Sequence, residues 1–190
     1  MLRVCRRITD GLNLNILEVI QQEAEKRELS FMVIGGHAVN AHRFSRRTED
    51  LDLLICKTNR DAWCGVMDTL GYSIFHDGGN FLQFKPPTSG EWPVDFMLVE
   101  NATFDGMMAK SVTDTVETVE MRLPSIPHLV AMKLHAINHG PPHREMGDLH
   151  DIIMMLRQNK IDIESKEMQD VFAKHGNPEQ YEQIRRASGK

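Results

Sequence analysis

Apolar residues recur along this chain in two rhythms. Leu12, Ile16, Val19, Ile20 and Ala24 fall at helical spacing, with Glu23, Glu25 and Lys26 turned to water, and predict a packing helix from Leu12 to Arg27. The four apolar residues Phe31 to Ile34 are too few for a helix and run into Gly35 and Gly36, which predicts a buried strand closed by a sharp turn. A short helix through Ala38, Val39 and Ala41 follows, and then a strand over Asp50 to Ile55. Asn59 and Gly71 bracket a helix carrying Ala62, Trp63, Val66, Met67 and Leu70. Tyr72 to His76 and Phe81 to Lys85 flank Asp77-Gly78-Gly79-Asn80 and read as a hairpin. Val94 to Val99 and residues 116–123 supply two further strands.

After Pro124 the rhythm becomes helical throughout. Ser125 stands where it can cap a helix through Ile137 that ends near Gly140, Pro141 and Pro142, and a second helix spans Arg144 to Lys160, burying Met146, Leu149, Ile152, Ile153 and Leu156. Weaker signals cover Ile163–Lys174 and Pro178–Arg186. The pattern predicts an α/β (α+β) protein: a mixed sheet flanked by helices over residues 1–123, and a helical region, 124–190, packed on it.

Composition narrows the function. The 190 residues can bury a core without staples. A net charge of −5, from 27 acidic and 22 basic side chains, gives no overall attraction to nucleic acid. Cys5, Cys56 and Cys64 are an odd number without CxxC spacing, so reduced thiols and a cytoplasmic setting are expected. Arg3, Arg6 and Arg7 precede no apolar block of signal-peptide or membrane-span length. Most of the 12 methionines sit at core spacing, and Arg185, Arg186 and Lys190 read as a solvated basic end.

One stretch carries chemistry. Asp50 and Asp52 alternate with Leu51 and Leu53, so both carboxylates share a face, roughly 6.6 Å apart along the strand. Close acids need a counterion, and a divalent metal is the usual answer where phosphoryl groups move. Asp95 lies embedded between Val94 and Phe96, a costly place unless it faces a metal or a solvated cleft. The Gly35-Gly36 turn leaves backbone N–H groups free for phosphate oxygens, and His37 stands at the helix start, either meeting phosphate or packed.

Gly35 and Gly36 followed by Arg46, Thr48, Asp50 and Asp52, with Asp95 on a later strand, resemble the DNA polymerase β-like nucleotidyltransferase superfamily. Within it the likeness is to AbiEii-type toxins and to small antibiotic nucleotidyltransferases such as the lincosamide enzymes, over roughly residues 31 to 156. The resemblance implies that the glycine turn and its helix hold a nucleoside triphosphate, with Arg46 and Thr48 steadying it. Asp50 and Asp52 would bind two Mg²⁺ ions, and Asp95 the acceptor-side ion. It also implies that Lys133 reaches the phosphates and that Asp148 orients the lysine or the acceptor. Gly147, where such sequences usually carry a basic residue, and the Gly140–Pro142 break depart from the pattern. Read without the resemblance, Lys133 is a surface lysine snorkelling over Leu129 and Ile137, and Asp148 and Asp151 are solvated.

The expected activity is therefore Mg²⁺-dependent transfer of a nucleoside monophosphate to a hydroxyl on tRNA, a protein or a small molecule, in a toxin with a cognate antitoxin. An antibiotic-modifying enzyme and a non-catalytic nucleotide- or partner-binding relative are the alternatives. His135 and His139 have zinc-pair spacing, but no HExxH pattern surrounds them, which leaves a zinc hydrolase a distant reading.

Overall fold

A computed structural model describes residues 15–189. Leu12, the N-terminal arginines, Cys5 and Lys190 lie outside the described residues. Helix α1 (Ile16–Lys26) starts at a capping box in which Asn15 accepts from the Leu17 N–H at 3.1 Å and Glu18 accepts from the Asn15 N–H at 3.1 Å. It leads to β1 (Phe31–Val33), α2 (Gly35–Ala41), β2 (Leu51–Cys56) and α3 (Arg60–Thr69). The hairpin β3 (Ser73–Asp77) and β4 (Phe81–Lys85) precedes β5 (Val94–Val99).

These strands form one mixed sheet in the order β1-β2-β5-β4-β3, with β2 and β5 parallel and every other pair antiparallel. Alternation sends Leu51, Leu53, Ile55 and Phe96 to the face that packs with α1 and α3, where Leu17, Ile20, Trp63 and Val66 are fully buried. Leu54 and Cys56 go to the other face, in a smaller cluster with Phe104 and Met107. β3 closes the sheet as an exposed edge, with a bulge between Ile74 and His76.

Residues 100–116 hold two elements that the apolar pattern did not predict: α4 (Asn101–Ala109) and β6 (Val112–Val116). β6 pairs with β7 (Val119–Leu123), so the strand expected over 116–123 is half of a hairpin that turns at Glu117, a residue at φ +56°. Four of the five β6 residues are exposed, so no buried rhythm marks it; pairing with β7 makes the strand.

The C-terminal helices are α5 (Ile126–His139), α6 (Glu145–Gln158), α7 (Lys166–His175) and α8 (Pro178–Ser188). Ser125 stands at the N-cap of α5 and Asn59 at that of α3, but neither side chain caps its helix; the Ser125 hydroxyl meets His128 Nδ1 instead, at 3.2 Å. Met146, expected in the core, is 76% exposed. It lies two residues before the inward-facing Asp148, roughly 200° around the helix. Two bonds tie this region to the loop after α2: Asn159 Nδ2 donates to the His42 carbonyl at 2.7 Å, and His42 Nε2 meets the Pro124 carbonyl at 2.9 Å.

Candidate active site

Parallel pairing of β2 with β5 sets Asp52 directly beside Asp95. Asp50 immediately precedes β2 and comes over the same spot, so that ligand oxygens of the three carboxylates all lie within 4.8 Å of one another. Thr48 Oγ1 donates to Asp50 at 2.9 Å, and Gln83 Nε2, opposite Asp95 on β4, donates to Asp95 at 3.0 Å. The crowding shows in proton affinity. Burial first, then the charges of Asp50 and Asp95, push Asp52 up to about 7 against the pull of Arg144 and Lys133. Burial also raises Asp95, with the Gln83 bond opposing it and Asp50 adding to it. Three hard oxygen donors with uncompensated charge fit a divalent cation such as Mg²⁺.

The glycines make the close approach possible. Gly35 takes φ +61°, and a Cβ there would overlap the Asp52 carboxylate; a Cβ at Gly36 would overlap the Thr48 side chain. Ile34 N–H donates to the Asp52 carbonyl at 2.9 Å, which pins the start of α2 against β2. His37 is buried. Its ring lies 4.5 Å from that of Trp92, its Nδ1 is 3.9 Å from Glu117 on the β6–β7 turn, and its Nε2 has no partner within the protein. Burial holds its pKa below the ordinary imidazole value, although Glu117 and Asp50 pull the other way.

Arg46 is held at both ends. Asn40 accepts from its N–H at 2.9 Å and donates to its carbonyl at 2.8 Å, while its guanidinium meets Asp151 through Nε at 2.9 Å and Nη2 at 3.0 Å. Lys133 Nζ donates to Asp151 at 2.7 Å and to Asp148 at 2.8 Å, and Arg144 Nε lies 3.8 Å from Asp148. Lys133, Asp148 and Asp151 are 7%, 5% and 3% exposed, which overturns the snorkelling and solvated readings. The network borders the acid cluster, since both Lys133 and Arg144 act on Asp52.

The structure thus brings Asp50, Asp52, Asp95, Gly35, Gly36, His37, Arg46 and Thr48 to one place, with Lys133 and Asp148 bridged to it through Asp151. Gln83, Trp92, Glu117 and Asn40 also stand there, and the sequence did not mark them. Gln83 shows itself only once the β4–β5 register is known. The histidines do not assemble. His135 and His139 stack at 4.4 Å on an exposed surface, and among the described residues no three metal-ligating groups converge except the three acids.

Several solved structures share this fold. ANT(2″)-Ia in complex with adenylyl-2″-tobramycin superposes with a TM-score of 0.66 at 14% identity, over 90% of this chain and 95% of that one. An antigenic nucleotidyltransferase-like protein from Paracoccidioides brasiliensis gives 0.57 at 18% identity, over 91% and 90%. The lincosamide antibiotic adenylyltransferase LnuA, bound to lincomycin, gives 0.50 at 14% identity, over 73% and 95%. No curated protein matches in sequence. The model of the family described as nucleotidyl transferase AbiEii toxin, type IV toxin–antitoxin system, matches residues 20–189, and the chain belongs to that family.

Proposed function

We propose that this nucleotidyltransferase moves a nucleoside monophosphate from a nucleoside triphosphate to a hydroxyl acceptor and releases pyrophosphate. The observation that carries the reading is the convergence of Asp50, Asp52 and Asp95 beside the glycine start of α2. Asp50, Asp52 and Asp95 would hold two Mg²⁺ ions, with Asp95 nearest the acceptor hydroxyl. When bound, the metal neutralises the triphosphate and makes the acceptor hydroxyl easier to ionise. The Gly36 N–H donates to a phosphate oxygen, and Arg46, Thr48 and Lys133 steady the chain of phosphates. Asp95 takes the acceptor proton; the acceptor oxygen bonds to the α-phosphorus as the bond to the β-phosphate bridging oxygen breaks, and pyrophosphate leaves. His37 packs against Trp92 and lends its free Nε2 to the bound nucleotide. Family membership supports a role as the toxin of a toxin–antitoxin pair with a cognate antitoxin, and we read the protein as cytoplasmic.

Incubation with labelled nucleoside triphosphate and Mg²⁺ tests the assignment. Asp52→Asn should cut pyrophosphate release by about a hundredfold or more while circular dichroism stays native. An Asp52→Asn protein that keeps full, Mg²⁺-responsive turnover overturns it.

A further inference from the structure

We propose that Gln83 is a positioning residue of the metal site: its side-chain amide aims the Asp95 carboxylate at the cation that Asp50 and Asp52 face, and does so without neutralising the cluster. The proposal rests on the transferase reading above and adds a residue that the reading does not use. β4 reads Phe81-Leu82-Gln83-Phe84-Lys85, and its core side chains are Leu82, fully buried, and Phe84, whose ring lies 5.0 Å from that of Phe96. Alternation then sends Gln83 to the opposite face, the one that Asp52 and Asp95 share because Leu53 and Phe96 belong to the core. Register completes the placement. Leu82 pairs with Phe96 and Gln83 with Asp95, while Asp95 pairs with Asp52 on its other side, so polar residues on three neighbouring strands stand in one row. Apolar packing on one face of the sheet thus sets a hydrogen bond on the other.

The bond matters for what it leaves free. Gln83 Nε2 donates to Asp95 Oδ2 at 3.0 Å, and among the described residues no other side chain donates to that carboxylate. Asp95 is 9% exposed, and Asp50 and Asp52 crowd it with like charge. Without an anchor the carboxylate would turn about χ1 and χ2 away from the other two. With it, Oδ1 and one lone pair of Oδ2 stay available to a cation. The donor's lack of charge counts equally. A guanidinium or ammonium in that place would pair with Asp95 and compete with the metal, whereas an amide orients the oxygen and leaves the negative charge where it is. Asp50 is held in the same manner, by the neutral hydroxyl of Thr48 at 2.9 Å. The nearby cations Arg46 and Lys133 are engaged instead with Asp151 and Asp148. Each flanking acid therefore receives one uncharged donor, one from the loop before β2 and one from β4.

Mn²⁺ binding to the full chain without triphosphate, read by electron paramagnetic resonance, tests this apart from turnover, since Mn²⁺ takes the same oxygen donors as Mg²⁺. Gln83→Met keeps the length of the side chain and removes the donor, and should bind Mn²⁺ about tenfold more weakly than wild type. Gln83→Arg keeps a donor and adds a charge, and should bind more weakly still. Position 83 is half-buried and its pairing with Asp95 along the strands is made by the backbone, so circular dichroism should stay native in both. In turnover, Gln83→Met should lower kcat about tenfold while the KM for triphosphate stays within about twofold of wild type, and added Mg²⁺ should recover part of the loss. Damage to packing alone would not answer to the ion. Mn²⁺ affinity within about twofold of wild type in either variant, or no Mn²⁺ binding by wild type, overturns the assignment; should Gln83→Met fail to fold, Gln83→Arg decides by the same criterion. A chain whose Mn²⁺ affinities follow the expected order but which releases no pyrophosphate overturns the transferase reading and leaves Gln83 in its role. A working transferase indifferent to both substitutions does the reverse.

Discussion

Asp52 is the residue on which burial and two neighbouring carboxylates act together, and its proton affinity rises until it titrates at about 7. The folded value lies above the 3.8 of the free side chain, so the stability it contributes is complete below that value and is lost as pH rises through about 7. A divalent cation competes for the same oxygens and should replace what the proton supplied. Mg²⁺ is therefore expected to raise the melting temperature more at about pH 8 than at about pH 5, as scanning calorimetry would show. Equal gains at both values would place the ion elsewhere. Gly35 meets the same carboxylate from the other side. Gly35→Ala combines a left-handed backbone with an overlap on Asp52, and should cost about 2 kcal/mol or more in urea unfolding. It should also abolish the Mg²⁺-induced shift, because the acid must move aside to make room.

At the scale of elements, the loop after α2, with α5 and α6, is joined by a buried ionic bridge. Arg46 and Asp151 are 105 positions apart and meet through two contacts, and Lys133 shares the same carboxylate. Removing Asp151 leaves a buried ammonium with half its partners and frees the guanidinium that is proposed to meet the triphosphate. Asp151→Ala should cost about 3 kcal/mol by chemical denaturation, and loss of nucleotide affinity should accompany it in calorimetry. A variant as stable as wild type would show that Lys133 is satisfied by Asp148 alone. Apolar rhythm discloses what is local to a short stretch and misses what tertiary packing decides. The strand that ends in Gly35-Gly36 and the alternation around Asp50 and Asp52 were legible because they are local: side chains two apart on a strand must share a face. Asp148 and Asp151 were legible as a shared helix face, but their burial under Lys133 was not, since only packing of α5 on α6 decides it. α4 and β6 escaped notice for different reasons: Gly106 and an uncapped start weaken one, and exposure of nearly every residue hides the other. Gln83 and Trp92 depend on sheet register and loop path, which no short window contains.

For the whole molecule, the question is whether the sheet-bearing part can exist without the helices after Pro124. The buried side chains argue against it. Leu129, Val130 and Leu134 of α5 and Ile152 of α6 belong to one contiguous apolar cluster with Leu51, Leu53 and Phe96 of the sheet and Leu17 and Ile20 of α1. Cutting after Leu123 would expose that shared surface and cost about 25 cal/mol for each Å² of apolar area uncovered. It would also strand Arg46, whose guanidinium is paired from α6, and remove both the Pro124 and Asn159 partners of His42. The same helices bring Lys133 and Arg144 within reach of Asp52, so the acid cluster would lose the positive charge that moderates its repulsion. A fragment comprising residues 15–123 should therefore lack a cooperative urea transition and fixed aromatic signals in near-ultraviolet circular dichroism, even where it retains far-ultraviolet structure. Adding residues 124–189 as a separate chain should restore both signals if the two parts fold only together. A fragment that unfolds in one sharp transition by itself would show that the helical region is an independent unit laid on a finished core.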